Sequence, residues 1–285
     1  MERYSADAYA HCEALVREAD KDHWLAALFA PAAERRHLHA LRAFAIEIGS
    51  VRRRVTQPLA GELRLQWWRD LVDGEARGEA SANPVAAALI ETVARHHLSR
   101  AVLIEAIEAH RLALYGEALP DVLALETLCD ATVGGVMALQ AQCLMGSDVV
   151  DRDLLHHGGV ALGVAELIRT LPHRASEGFP EVPEAMLARH GAHRTDRGGR
   201  SLIDAIPGAL TDLRAVARDH LAVLRDRRQS IDERMAPVLL PLNLVEPLLR
   251  AGEAPGADPF AEVLALPQWR RQWIFWRAAR CGGML

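Results

Sequence analysis

LHALRAFAIEIGSVRRRVTQPLAGELRLQWWRD, residues 38–70, decides how the rest of the chain is read. Leu38, Leu41, Phe44, Ala45, Ile48 and Val51 recur at steps of three and four residues. That spacing places them on one face of an amphipathic helix. Arg52, Arg53 and Arg54 follow near its end, where cations suit the negative end of the helix dipole. A Thr-Gln-Pro break comes next, and a second helix carries Leu63, Leu65, Trp67, Trp68 and Arg69.

Outward from this stretch, helical apolar periodicity returns over 6–18, 22–30, 34–55, 59–77, 84–96, 100–115, 121–146, 151–171, 203–229, 236–250 and 268–280. Strand-like alternation is scarce and no hairpin signal occurs. Residues 74–84 and 251–259 are Gly- and Pro-containing loops, and Pro84 is placed to open a helix. The longest irregular region, 171–201, is expected to hold one short helix near Pro183–His190, and a loop of this length in a compact domain is usually functional. No break separates segments of different composition. The expectation is one all-α helical bundle over 1–285, with 268–285 as a C-terminal amphipathic segment.

Half of the 285 residues are apolar and only 5% are aromatic, which favours helix packed on helix. A formal charge of −5 argues against general nucleic-acid binding, while leaving local arginine clusters free to meet anions. Cys12, Cys129, Cys143 and Cys281 have no paired spacing, which fits a reducing compartment. The first twenty residues are polar and charged, without a basic-then-apolar signal-peptide pattern, and no uninterrupted apolar run reaches about 18 residues, so no spanning helix is expected. The expected location is the cytoplasm, at the periphery of the inner membrane.

The order Ala-Leu-Arg-Ala-Phe (40–44), polar turn, Leu-Arg-Leu-Gln-Trp-Trp-Arg (63–69) resembles the front half of the squalene/phytoene synthase family. The resemblance implies that family's all-α isoprenoid synthase fold and covers roughly residues 20–250. Active members follow the Phe with an aspartate-rich motif that holds magnesium and a prenyl diphosphate. The matching positions here are Gly49, Ser50 and Arg53, with Glu47 the only acid in the stretch. The family's second acidic region, Gln-x-x-Asn-x-x-Arg-Asp, falls on GGVALGVAELIRTLPHRASEG (158–178). Gln becomes Gly163, Asn becomes Glu166, Arg169 is kept, Asp becomes Thr170, and a later acid pair becomes His173 and Arg174. ATVGGVMALQ (131–140), with Gly134, resembles the small-residue helix along which a prenyl chain lies.

These departures resemble a non-catalytic branch of the family, whose best-known member is a mitochondrial assembly factor for respiratory complex I. The resemblance then implies a degenerate site for a prenyl diphosphate or lipid-like ligand, a respiratory-complex subunit as partner, or both. The ligand residues it implies are Phe44, Glu47, Ser50, Arg53, Gly134, Gly163, Glu166, Arg169 and Thr170, with no metal and no cofactor. The rival is an active prenyl-diphosphate coupling enzyme, with Glu47, Glu166 and arginines replacing the usual ligands and magnesium as cofactor. A third reading is a peripheral membrane adaptor whose central pocket has collapsed.

Several residues carry two readings. Arg52–Arg54 are either a solvated helix end or a cradle binding phosphate by guanidinium instead of through metal. Trp67 and Trp68 suit interhelix packing better than stacking on a ligand. An acid on an apolar face needs a partner, so Glu166 is expected in an ion pair with Arg169 or Arg53. His96–His97 and His156–His157 are adjacent on helices and point about 100° apart, so they fit helix ends or surface better than a metal site. WRRQWIFWRAAR (269–280) sets Trp269, Trp273 and Trp276 on one face among Arg270, Arg271, Arg277 and Arg280, which suits a membrane interface or a partner.

Overall fold

A computed structural model describes residues 2–75, 82–146, 150–174, 181–194, 200–258, 260 and 263–281. The first half runs α1 (Glu2–Ala19), α2 (Lys21–Ala27), α3 (Ala32–Gly49), α4 (Val51–Arg54), α5 (Pro58–Asp73), α6 (Pro84–His96) and α7 (Arg100–Leu114). The second half runs α8 (Val122–Cys129), a π-helical turn (Asp130–Gly134), α9 (Gly135–Met145), α10 (Arg152–Arg169), α11 (Leu171–Arg174), α12 (Glu184–Arg189) and α13 (Arg200–Asp226). Then come α14 (Ala236–Leu239), a 3-10 turn (Leu240–Leu244), α15 (Val245–Ala251) and α16 (Gln268–Ala279). No strand occurs among the described residues.

Local chemistry sets the helix ends. Asn83 accepts from the Val85 and Ala86 amides at 3.0 and 3.1 Å, and Pro84 opens α6 without spending an amide that has no partner there. Gly74 closes α5 in the left-handed region (φ 86°), where a side chain is strained. The expected helix over 34–55 is split at Ser50, and the one over 121–146 is interrupted by the π turn. Both breaks lie inside continuous apolar periodicity, which carries no sign of them.

Two apolar clusters make the core, one built on α1, α3 and α5–α7 around Phe44 and the other on α10 and α13. Helix α9 serves both. Val136, Leu139 and Cys143 face the first cluster, while Met137, Ala138 and Ala141 face the second. A helix apolar all round is thereby buried all round. Helix α9 is the buried part of Val122–Met145, a run long and apolar enough by composition to cross a membrane, half of whose apolar window is buried in the bundle.

Small residues let α10 come close. A Cβ on Gly159 would collide with the backbone of Gly134, and one on Gly163 would lie 2.7 Å from Cys129 Sγ. Gly134 and Gly163 are therefore points of close helix approach between the π turn, α8 and α10. All four cysteines are free thiols, with Cys281 exposed and the other three buried.

Candidate functional site

The end of α3 presents the first motif. Phe44 is fully buried with its ring edge-on to Trp68, centroids 5.4 Å apart. Trp68 is core and Trp67 half-buried, as their packing role requires. Ser50 caps α3 and donates its hydroxyl to the Glu47 carbonyl at 2.9 Å. The Glu47 carboxylate accepts two bonds from Arg54 Nη1, at 3.0 and 2.9 Å. Gly49 looks onto His110 of α7, and Arg53 is exposed.

On α10, Glu166 and Arg169 form a bidentate pair, Nε to Oε2 at 2.7 Å and Nη2 to Oε1 at 2.6 Å. Thr170 ends the helix and donates to the Glu166 carbonyl at 2.8 Å. The hydrogen bonds that Arg169 donates to Glu166 raise its pKa, and the negative field of Asp20 and Asp22 adds to the rise. The Arg169 guanidinium therefore lies within electrostatic reach of the acids at the junction of α1 and α2. The side chains of His173 and Arg174 lie outside the described residues. Among the described residues, Glu47 is thus held by Arg54 and Glu166 by Arg169, each within seven residues of its partner.

Sequence reasoning missed the charged junction opposite. Asp20 caps α2, and its carboxylate accepts from Arg42 Nε at 2.6 Å and pairs with His23 Nδ1 at 2.8 Å. Burial works to raise its pKa, but Arg42 and His23 outweigh burial and hold it well below the usual carboxylate range. Arg42 belongs to the Ala-Leu-Arg-Ala-Phe frame, which was the one signal available. Next to this junction a cavity of about 10 Å³ is enclosed by His23, Leu38, His39, Arg42, Gln140 and Val238. That is room for about one water molecule. A larger open groove of about 420 Å³ runs along His11, Glu47, Trp67, Asn83 and Val85, and Glu47 alone of the expected ligand residues lines it.

Helix α16 is anchored on one side and bare on the other. Phe275 and Ala278 are buried with Ala26, Leu240, Leu244 and Leu266. Trp269, Trp273 and Trp276 remain 69%, 53% and 44% exposed, and Arg270 is exposed beside them. Trp273 and Trp276 stack with centroids 5.0 Å apart, and the Arg280 guanidinium lies 4.3 Å over the Trp276 ring.

Histidines gather in two places. His37, fully buried on α3, meets Thr92 Oγ1 at 2.9 Å and Tyr9 Oη at 3.2 Å through Nδ1. Burial, with smaller contributions from His96, Arg36 and Arg95, pushes the His37 pKa down to about 3. Burial also pushes the Tyr9 phenol up to about 12. His96 ends α6 as expected but turns inward, 3.3 Å from Glu34 Oε2, while His97 is exposed. His157 meets His220 of α13, Nδ1 to Nδ1 at 2.9 Å.

The squalene/phytoene synthase family model matches residues 16–277. A rat protein named NADH dehydrogenase (ubiquinone) complex I, assembly factor 6 is 27% identical over 244 residues, covering 86% of this chain and 73% of that protein. The human protein of the same name is 25% identical over 84% of this chain and 72% of its own length. Among solved structures, a ligand-bound dehydrosqualene synthase superposes with a TM-score of 0.82 at 13% identity, covering 98% of this chain and 97% of that one. Squalene synthase HpnC from Alicyclobacillus acidocaldarius superposes with a TM-score of 0.73 at 21% identity, covering 90% and 97%. These likenesses establish an isoprenoid synthase fold, and with the family match over nearly the whole length, the chain belongs to the squalene/phytoene synthase family.

Proposed function

We propose that this chain is a non-catalytic member of its family that supports assembly of a respiratory complex at a membrane surface. The observation that carries the reading is the donor set. Positions 49, 50, 53 and 170 hold Gly, Ser, Arg and Thr. Magnesium bound for phosphate chemistry needs at least one or two carboxylates. Glu47 and Glu166 remain, and each already accepts two hydrogen bonds from an arginine. This set does not suit magnesium. An anion, either a prenyl diphosphate or a lipid headgroup, is instead met by guanidinium groups, Arg53 foremost because it is exposed where the family carries a metal ligand.

The assembly role is supported by relatives named for complex I assembly. The membrane role is supported by α16, whose tryptophans face outward among arginines with no acid in the helix. The resulting location is cytoplasmic and peripheral to the inner membrane. Titration calorimetry with magnesium and inorganic diphosphate tests the reading. The expected result is no binding heat that depends on magnesium. Micromolar magnesium affinity dependent on Glu47 or Glu166 contradicts it and restores the coupling-enzyme reading.

A further inference from the structure

Away from both motifs, α3 and α6 bring Glu34, His37 and His96 together so that one ligand atom from each lies within 4.8 Å of the other two. Glu34 Oε2 and His96 Nε2 stand 3.3 Å apart. Both atoms are buried, and neither makes a hydrogen bond. Two ligands about 2.0–2.1 Å from a tetrahedral ion are separated by about this distance. With the His96 proton on Nδ1, Oε2 and Nε2 present two lone pairs to one small space, the arrangement a cation relieves.

The third ligand is held from behind. Thr92 Oγ1 and Tyr9 Oη fix the His37 ring through Nδ1, from α6 and α1 respectively. Such contacts from behind orient a metal-binding imidazole. On the other edge, Arg36 Nε lies 3.3 Å from His37 Nε2 while its guanidinium stacks over Tyr9. Arg36 is exposed and can turn to solvent, so it acts as a competing cation.

We propose that Glu34, His37 and His96 form a binding site for one divalent transition-metal ion. Two imidazoles and one carboxylate with an open fourth position suit zinc in particular. The site lies among α1, α3 and α6, where a bound ion ties the first half of the bundle together. It is independent of the arginine-lined motif positions and uses none of their residues.

The test is cobalt titration of the untagged, chelator-treated full chain, followed by zinc competition. The expected result is one equivalent of cobalt with the intense visible absorption of tetrahedral coordination, displaced by zinc, and a raised Tm in the metal-bound protein. His96→Ala, which removes a polar side chain at the last turn of α6, should retain helical circular dichroism and lose affinity at least tenfold. Thr92→Val should lower affinity ten- to a hundredfold through the His37 ring, in the range usual for such supporting contacts. Arg36→Gln should raise it. His220→Ala leaves the signal unchanged if the ion sits here. Absence of tetrahedral cobalt binding in the wild-type chain overturns the proposal, as does binding that survives His96→Ala and disappears in His220→Ala.

Discussion

Arg271 Nη1 donates to Asp22 Oδ1 at 2.8 Å, fastening the last helix of the chain to the second. Together with buried Phe275 this contact fixes which side of α16 faces outward. The tryptophans cannot turn into the core without breaking it.

That orientation predicts a sharp contrast between neighbouring aromatic residues. Phe275→Ala, at a fully buried site, should cost about 3–5 kcal/mol, whereas Trp273→Ala should stay within about 0.5 kcal/mol. Urea denaturation of the two variants measures the difference. Equal losses would place Trp273 in the core.

Vesicle binding should follow the same face. The combined Trp269→Ala, Trp273→Ala and Trp276→Ala variant should fold with unchanged circular dichroism and lose flotation with anionic vesicles. Each nearby arginine adds about 1 kcal/mol on an anionic surface, so neutral vesicles should bind more weakly. Flotation unaffected by the triple substitution would leave the membrane role without support. Deleting 268–285 is a poorer test, because it also uncovers Leu240 and Leu244.

Arg53→Ala should weaken binding of inorganic diphosphate about tenfold, the loss of one charge-assisted contact worth roughly 1.5–3 kcal/mol. Calorimetry reads it directly. Unchanged affinity would return Arg53 to the role of a solvated helix end.

Acid should act through His37. Its folded pKa of about 3 lies below the ordinary 6.5, so the ring is neutral in the folded chain and takes up a proton more readily when unfolded. The stabilisation is complete above pH 6.5 and falls away as pH drops toward 3. At pH 5 the metal-free chain should have lost about 2 kcal/mol relative to pH 7.5 from this group. Arg36, Arg95 and His96 face the ring as cations or potential cations, with Glu34 nearby as the opposing charge. Urea denaturation at both values, for the wild type and His37→Gln, isolates the contribution. Identical pH dependence in the two proteins would remove His37 as the cause.

What was legible in the sequence was what neighbours along the chain decide. The ladder from Leu38 to Ile48, the Pro84 helix start and the Glu166–Arg169 pair are local and match the structure, while Val51 continues the buried face from α4, past the break at Ser50. The short helix expected near Pro183–His190 is α12, Glu184–Arg189. The π turn was hidden because apolar residues continue straight through it. The Asp20–Arg42 pair was hidden because its partners lie 22 residues apart on different elements. His96 was read with its neighbour His97, whereas its partners are Glu34 and His37 on another helix. His97, at φ 51°, turns the chain there and ends α6 with His96 facing inward.

A non-catalytic role for this chain requires that its two motifs do not couple prenyl diphosphates. Incubating the purified chain with farnesyl or geranylgeranyl diphosphate and magnesium tests it most directly. The expected result is no magnesium-dependent release of diphosphate and no coupled hydrocarbon product. Turnover above the protein-free background, abolished by Glu47→Gln or Glu166→Gln, would contradict it.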